Sequence, residues 1–246
     1  MTTSNREGQK VPSVTFKMRA DNDWQTLTSN DIFSGQTVVV FSLPGAFTPT
    51  CSSTHLPRYN ELASAFRANG VDRIVCISVN DPFVMAEWGE NQEANNVLLL
   101  PDGNAAFTAG MGQLVDKSDI NFGQRSWRYS MLVRNGTIEK MFIEPDKPGD
   151  PFEVSDADTM LAYINPRAKK PDQVAILTRV GCAYCAKAKA LLKTQGYNYV
   201  EIPLDHRIRS RAVGAIAGAQ TVPQIFINGE RIGGLEELER WNRSAA

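Results

Sequence analysis

The runs VVVFSL at residues 38–43 and IVCISV at residues 74–79 decide the fold of the first part of the chain. Each is short and largely apolar, which is typical of a strand that is buried on both faces of a sheet. Between them, apolar side chains recur at steps of three and four along residues 56–66, which indicates one face of a helix that Gly70 would end. A strand, a helix and a strand in this order predict parallel pairing with a right-handed crossover.

A hairpin signal follows further along the chain. The run VLLL at residues 97–100 precedes a Pro-Asp-Gly turn, and Asn135-Gly136 lies between two strand-like runs within residues 131–143. Asn-Gly in such a position is the strongest short-range signal for a β-hairpin. A hairpin beside parallel strands predicts a mixed sheet with helices on its faces, and therefore the α/β fold class.

The composition changes at NPRAKKPD, residues 165–172, where two prolines bracket a basic segment that is poor in apolar residues. Proline disfavours continuation of a helix, and Lys and Arg keep a connection solvated. Because 246 residues suffice for one large domain or two unequal ones, we predict a domain over 1–165, a linker over 166–172 and a second domain over 173–246. The alternative is an ordinary surface loop within a single domain.

The second segment begins with another strand, VAILT at residues 174–178, and a helix-forming stretch that ends at Gly196. A strand, a helical stretch over 207–218, the strand-like QIFING and a short final helix follow. The order strand, helix, strand, helix, strand, strand, helix resembles the thioredoxin fold. The chain therefore predicts two thioredoxin-fold domains, each with a mixed central sheet flanked by helices.

The charge balance excludes some classes of partner. The chain has 26 Lys and Arg against 27 Asp and Glu, a formal net charge of -1, so it offers no broad basic field for nucleic acid. No apolar run approaches the ~18 residues that span a bilayer, and the amino terminus lacks an apolar signal core. Four cysteines are too few for a disulfide scaffold, so we expect a soluble protein of the reducing cytoplasm without nucleic-acid or membrane partners.

Cys182 and Cys185 are separated by two residues where a strand should give way to a helix. The N–H groups and the positive dipole end of a helix stabilise a thiolate at the first cysteine, and the second can resolve a mixed disulfide. A zinc site is the alternative, but it needs four ligands, and the chain adds only two distant cysteines and two histidines. The pair therefore indicates a redox dithiol.

Residues 173–243 resemble glutaredoxins in three motifs: CAYC at the dithiol, TVP at 221–223 and Gly-Gly before the final helix. The resemblance implies glutathione as a reducing cosubstrate, with no tightly bound cofactor and no metal. The glutathione-binding residues that it implies are Arg179, Tyr184, Thr221, Val222, Pro223 and Gly234.

Physical reasoning supports several of these positions. A cis bond before Pro223 would turn the backbone of Val222 toward the dithiol, where an extended peptide could pair with it. Arg179 and the N–H groups after Gly234 could meet peptide carboxylates, whereas Tyr184 has the alternative of a packing aromatic. The chain departs from the family at Ala183, where proline is usual, and in the sequence Leu-Glu-Glu at 235–237, where aspartates are usual.

The segment PGAFTPTC, residues 44–51, follows a buried strand and places Cys51 in the first turn of a helix. The free amides of that turn can cradle an anionic sulfur, and the Thr48 hydroxyl is three residues away. A buried structural cysteine is the alternative. Arg128 enters the apolar strand run SWRYSMLV and needs a partner there, for which a structural ion pair is the alternative.

PGAFTPTC, the VNDPFVMAEW run at 79–88 and the block from PDGNAAFTAGMG to RSWRYSMLV resemble peroxiredoxins of the fifth, atypical subfamily. The resemblance implies a peroxidatic site of Pro44, Thr48, Cys51 and Arg128. In it the Cys51 thiolate attacks a peroxide oxygen and becomes a sulfenic acid, Arg128 stabilises the thiolate and binds the O–O group, Thr48 orients it, and Pro44 shields the sulfur.

Three other residues have less reactive interpretations. Cys76 lies in a predicted buried strand, so we expect a packed, inert thiol rather than a disulfide partner. His55, one turn after Cys51, is expected to be a surface or helix-packing histidine rather than a general base. His206 and the RIRSR run at 207–211 are expected to form a solvated helix face that could dock the other domain.

The sequence between Cys76 and Cys182 contains no cysteine, so no late resolving cysteine is present there. Glutathione, or Cys182 itself, would reduce the Cys51 sulfenic acid, and the dithiol would clear the mixed disulfide. The predicted function is a glutathione-dependent peroxidase for hydrogen peroxide and alkyl hydroperoxides. The alternatives are a thiol-disulfide oxidoreductase and a redox sensor with a non-peroxidatic first domain.

The linker limits how the two domains can meet. The eight residues of the segment 165–172 span at most ~28 Å when extended. We therefore expect a homo-oligomer, a dimer or tetramer, in which the two domains meet between subunits.

Overall fold

The computed structural model of the chain describes residues 3–20, 23–206, 208 and 210–245. It separates into two compact units, residues 1–170 and 171–246. In the first unit the chain-ordered elements are β1 (Thr15–Ala20), β2 (Asp23–Thr28), α1 (Ser29–Phe33), β3 (Thr37–Ser42), α2 (Leu56–Glu61), α3 (Ala63–Ala68), β4 (Arg73–Ser78), α4 (Pro82–Asn91), β5 (Leu98–Pro101), α5 (Ala106–Gly110), β6 (Leu114–Asp116), β7 (Gln124–Ser126), β8 (Tyr129–Arg134), β9 (Thr137–Ile143) and α6 (Ala157–Ile164).

The central sheet of the first unit has the strand order β5-β4-β3-β8-β9. Strands β3, β4 and β5 pair in parallel, and β8 and β9 form an antiparallel hairpin around Asn135-Gly136, as the sequence predicts. Side chains of β3 alternate between two apolar clusters, with Val39 and Phe41 in one and Val38 and Val40 in the other. The sheet is therefore buried on both faces, which confirms the interpretation of the run at 38–43.

The helix predicted over 56–66 is irregular. A π-helical turn at Cys51–His55 precedes it, in which the Leu56 N–H donates to the Cys51 carbonyl, and α2 and α3 are separated at Leu62. Pro57 has no N–H to donate, so the regular hydrogen-bond ladder cannot continue through this turn. The wide turn places Cys51 at the carboxyl end of β3.

The second unit contains β10 (Val174–Arg179), α7 (Ala183–Thr194), β11 (Tyr199–Leu204), α8 (Ser210–Ala217), β12 (Gln224–Ile227), β13 (Glu230–Gly233) and α9 (Leu235–Ala245). Its sheet order is β11-β10-β12-β13, with β10 and β11 parallel and the other pairs antiparallel. The predicted order of elements is therefore confirmed. Helix α8 is shorter than the stretch 207–218 and leaves His206 in a bend before it rather than on a helix face; Arg207 and Arg209 lie outside the described residues.

Candidate functional site

Cys51 lies in a helical segment that begins at Pro49 and is fully buried as a free thiol. Strand β3 ends nine residues before Cys51, and the loop from Leu43 to Thr48 connects it to this helical segment. Pro44 and Thr48 are half-buried in this loop, and the Thr48 hydroxyl donates to the Gly45 carbonyl at 2.8 Å. Thr48 is therefore engaged with its own loop, three residues from Cys51.

Arg128 precedes β8 and is 1% exposed, with its guanidinium directed at Cys51. Its Nη2 lies 3.5 Å from the Cys51 Sγ and donates to both carboxylate oxygens of Asp150 at 2.6 Å. Burial disfavours the charged guanidinium, but Cys51 and Asp150 outweigh it and raise the pKa of Arg128. The partner that a buried arginine needs is thus supplied by two groups together, the Cys51 thiol and the Asp150 carboxylate.

His55 is a third contact of Arg128. The expectation of a surface position is wrong, because His55 is fully buried. The alternative of a packed histidine agrees with this burial but does not predict that both ring nitrogens have polar partners. Arg128 Nη1 lies 2.9 Å from His55 Nδ1, and Nε2 lies 3.2 Å from the Ser155 carbonyl. A guanidinium only donates, so Nδ1 accepts and Nε2 carries the proton. Burial and then the charge of Arg128 lower the pKa of His55 well below its usual value, which keeps the ring neutral.

The segment from Glu144 to Ser155 brings Asp150 and Phe152 to the guanidinium. The buried Glu144 carboxylate accepts from the N–H groups of residues 153, 154 and 155 and from the Ser155 hydroxyl, which ties the segment at its base. The Phe152 ring lies 5.4 Å from the Arg128 guanidinium carbon and 4.9 Å from the His55 ring. Sequence reasoning missed Glu144, Asp150 and Phe152 as neighbours of Arg128. For His55 the one available signal was its spacing of four residues from Cys51, which places both on one helix face.

Cys76 lies in β4 and is fully buried as a free thiol. Burial, together with the charge of Cys51, raises the pKa of Cys76 well above its usual value. A thiol in this state stays protonated and unreactive, as the sequence predicts.

The dithiol of the second unit lies at the start of α7. Cys182 is the N-cap residue, and its Sγ accepts from the Cys185 N–H at 3.2 Å. Burial opposes ionisation of Cys182, but hydrogen bonds from the Cys185 thiol and from the backbone of Cys185 and Tyr184, with the charge of Arg179, outweigh it and lower its pKa. Burial and the hydrogen bond with Cys182 raise the pKa of Cys185 to about 11. The first thiol is therefore the one suited to nucleophilic attack.

The backbone around Pro223 faces this dithiol. The Val222–Pro223 bond is cis, and the Cys182 Sγ lies 3.8 Å from the Val222 carbonyl oxygen. Arg179 is exposed at the end of β10, and Tyr184 is 65% exposed, which excludes the alternative of a packing aromatic for Tyr184. These residues surround the exposed side of Cys182.

Thr221 and Gly234 are the remaining residues of the expected glutathione site. The exposed Thr221 precedes the cis bond, and its carbonyl accepts from the Gln224 side chain. The Gly234 N–H donates to the Glu237 carboxylate at 2.9 Å, and this hydrogen bond lowers the pKa of Glu237. The N–H of Gly234 itself is thus already bonded to a carboxylate of the chain, at the start of the segment whose following N–H groups are expected to meet a peptide carboxylate.

Over residues 3–20, 23–206, 208 and 210–245, no group of three or more His, Cys, Asp and Glu side chains is placed to hold a metal ion. Within the same ranges, no helix is both long and apolar enough to cross a membrane.

Two family models match the chain, Redoxin over residues 6–161 and Glutaredoxin over residues 174–232. The hybrid peroxiredoxin hyPrx5 of Haemophilus influenzae is 56% identical over 238 residues, which are 97% of this chain and 99% of that protein. A peroxiredoxin of Synechocystis is 58% identical over 169 residues, which are 63% of this chain and 89% of that protein.

Solved structures resemble the first unit. Reduced Prx3 of Vibrio vulnificus in complex with hydrogen peroxide has a TM-score of 0.62 and 42% identity, covering 65% of this chain and 99% of its own. The 1-Cys peroxiredoxin called antioxidant protein of Plasmodium falciparum has a TM-score of 0.63 and 32% identity, covering 66% of this chain and 100% of its own. With its redoxin and glutaredoxin domains and a relative of the same extent, the chain belongs to the hybrid peroxiredoxins, which are thiol peroxidases.

Proposed function

We propose that the chain is a glutathione-dependent peroxidase that reduces hydrogen peroxide and alkyl hydroperoxides at Cys51. The observation that carries the proposal is the 3.5 Å approach of the Arg128 Nη2 to the buried Cys51 Sγ in a helical turn. A cation and the amides of a helical turn beside one sulfur can bind the peroxide oxygens on which negative charge develops. Pro44 would shield the sulfur, and Thr48 would turn its hydroxyl from Gly45 to the peroxide.

In the oxidative step, the Cys51 thiolate attacks one peroxide oxygen and forms an S–O bond while the O–O bond breaks. The leaving alkoxide or hydroxide takes up a proton and departs as an alcohol or water. Cys51 is oxidised to a sulfenic acid, and the peroxide is reduced by the same two electrons. Arg128 would hydrogen-bond the oxygens on which negative charge develops.

In the reductive steps, a glutathione thiolate attacks the sulfenic sulfur, and water leaves as a mixed disulfide forms. The Cys182 thiolate then attacks the glutathione sulfur and releases Cys51. A second glutathione thiolate then attacks the glutathione sulfur and releases Cys182 with glutathione disulfide. In the dithiol route, Cys185 instead attacks the Cys182 sulfur and releases glutathione, and two further glutathione molecules reduce the resulting Cys182–Cys185 disulfide. The lowered pKa of Cys182 and its exposed surroundings support this assignment, with Arg179, Tyr184, Thr221, Val222, Pro223 and Gly234 as the proposed glutathione site.

The test is peroxide consumption with glutathione by the parent chain and by Cys51→Ser, Cys182→Ser and Cys185→Ser. Loss of turnover in the first two variants with survival in the third would support peroxidase chemistry with a monothiol route. Disulfide reduction that survives in Cys51→Ser, with no peroxide consumption by the parent chain, would indicate a thiol-disulfide oxidoreductase. A Cys51 sulfenic acid that glutathione fails to reduce would indicate a redox sensor.

We further propose that this cycle takes place in the cytoplasm in a dimer or tetramer in which the redoxin and glutaredoxin domains meet between subunits. The segment at 165–172 is short, and tethering raises the effective concentration of the reducing domain only where the sites can meet. Sedimentation and kinetics on one sample test this assembly. A monomer with full glutathione-dependent turnover would contradict it.

A further inference from the structure

The Asp150 carboxylate is a negative charge at the mouth of the proposed peroxide site that the reaction itself does not require. It contacts Arg128 Nη2, the nitrogen that also contacts the Cys51 Sγ. The Asp150 oxygens and the sulfur can therefore be no farther apart than the sum of those two contact distances. Asp150 is 41% exposed in this pair, whereas Arg128 is 1% exposed, so the carboxylate lies on the solvent side of the guanidinium.

The other contacts of Arg128 leave Asp150 in this place. Arg128 Nη1 donates to His55 Nδ1, and the Phe152 ring lies beside the guanidinium carbon. The Glu144 carboxylate accepts from the N–H groups of residues 153–155 and so holds the segment that carries Asp150. A peroxide that reaches the sulfur therefore lies near the Asp150 carboxylate as well as near the cation. A neutral peroxide meets no charge repulsion, whereas an anionic one does.

We propose that Asp150 is a specificity-determining residue that makes the Cys51 site prefer neutral peroxides over peroxides carrying a negative charge. This inference rests on the proposed function, because it presupposes that Cys51 reacts with peroxides. For two unit charges ~6 Å apart, effective dielectric constants between ~80 and ~20 correspond to a repulsion factor of roughly 3 to 100, and a charge carried farther from the reacting oxygens gives the lower end of that range. Asp150→Asn should raise the reactivity toward an anionic peroxide, relative to a neutral one, by a factor in that range.

Cumene hydroperoxide and its para-carboxylate are suitable probes, because they share the reacting group and differ by one charge. The measurement is the second-order rate constant of each with the full, reduced chain. The ratio of the two constants cancels any change in the nucleophilicity of Cys51, because such a change slows or speeds both reactions alike. Asp150→Glu retains the charge and should keep the ratio of the parent chain.

Glu153→Gln is the matched control. Glu153 lies in the same segment and its carboxylate pairs with Lys147, so the variant removes the same charge at a position without a contact to Arg128. A raised ratio in Asp150→Asn with an unchanged ratio in Glu153→Gln supports the proposal. Equal ratios in Asp150→Asn and the parent chain, or the same rise in both variants, would overturn it. A parent chain that reacts with neither probe nor with hydrogen peroxide would instead refute the proposed function and this inference with it.

Discussion

Replacing His55 separates two interactions of one imidazole, because Nδ1 accepts from Arg128 and Nε2 donates to the Ser155 carbonyl. Asparagine places its Oδ1 near the position of Nδ1 and keeps an acceptor for the guanidinium. Glutamine places its Nε2 near the position of the imidazole Nε2 and keeps the donor to Ser155, and leucine keeps neither. If His55 positions Arg128 against Cys51, the rate with hydrogen peroxide should fall less in His55→Asn than in His55→Gln or His55→Leu.

The magnitude follows from the burial of the guanidinium, which is 1% exposed and cannot replace a lost acceptor with bulk water. A hydrogen bond to a charged group contributes about 1.5–3 kcal/mol, and each ~1.4 kcal/mol corresponds to a factor of ten. Loss of the whole contribution in the transition state would slow the reaction by roughly 10- to 150-fold. Stability should fall by about 1–3 kcal/mol in the asparagine and glutamine variants and by more in the leucine variant, which leaves two buried groups unpaired.

The assay is stopped-flow tryptophan fluorescence during the reaction of the reduced chain with hydrogen peroxide. Trp88 is a suitable reporter, since its Nε1 donates to the Ser52 hydroxyl at 3.0 Å, one residue from Cys51. Urea unfolding measures the stability of the same variants. Tyr59→Phe is the control, because the Tyr59 hydroxyl donates to the same Ser155 carbonyl at 3.0 Å and is not an acceptor for the Arg128 guanidinium. Its loss should lower stability and leave the rate unchanged. Equal rates in His55→Asn and His55→Gln, falling in step with stability, would refute a positioning role.

Three further predictions concern the dithiol and the segments that hold the first unit together. At pH 8, iodoacetamide should modify Cys182, whose pKa is lowered, and spare Cys185, whose pKa of about 11 keeps it protonated, as mass spectrometry of the reduced chain will show. The hydrogen bond from Arg58 lowers the pKa of Asp158 to about 2, so this carboxylate stabilises the fold above pH ~4 and ceases to do so as the pH falls through ~2. Because Asp158 is partly exposed, Asp158→Asn should lower the free energy of unfolding by only about 1 kcal/mol at pH 7, and by little at pH 2, as measured by urea unfolding. Glu144→Gln weakens the acceptor of three backbone N–H groups, so hydrogen exchange at residues 153–155 should become faster, and unchanged exchange would contradict the assigned role.

The sheet was predictable from the sequence because both faces of its central strands are buried. Apolar side chains at five of the six positions of the run at 38–43 leave few alternatives to a strand inside the sheet, and Asn135-Gly136 determines where the chain reverses. The requirement for a partner of Arg128 was predictable for a similar reason, since a cation in an apolar strand run must be neutralised. The identity of that partner could not be predicted, because Asp150 lies in a Gly-Asp-Pro sequence, which is typical of an ordinary exposed turn.

His55 shows a second limit of sequence reasoning. Helical spacing places it on the same face as Cys51, but whether that face meets solvent depends on the segment at 144–155, which is some ninety residues away in the chain. The π-helical turn also depends on context, because Pro57 removes a donor without specifying which wider hydrogen bond replaces it. Tertiary contacts, rather than local pattern, decide both features.

The two reactive cysteines share a helix start but differ in what surrounds them, and the difference bears on how one could reduce the other. Cys51 is fully buried beneath Arg128 and the segment that carries Asp150, whereas Cys182 has its support in backbone N–H groups and keeps exposed neighbours in Arg179 and Tyr184. A small peroxide needs little room to reach the buried Cys51 sulfur. The Cys182 thiol, which is fixed on a domain surface, could attack that sulfur only after the segment that carries Asp150 had moved away. A glutathione molecule requires a smaller opening than a protein domain does. In the proposed cycle, glutathione attached to Cys51 would offer its own sulfur to Cys182, so a mobile tripeptide would relieve the burial that protects the sulfenic acid from direct attack.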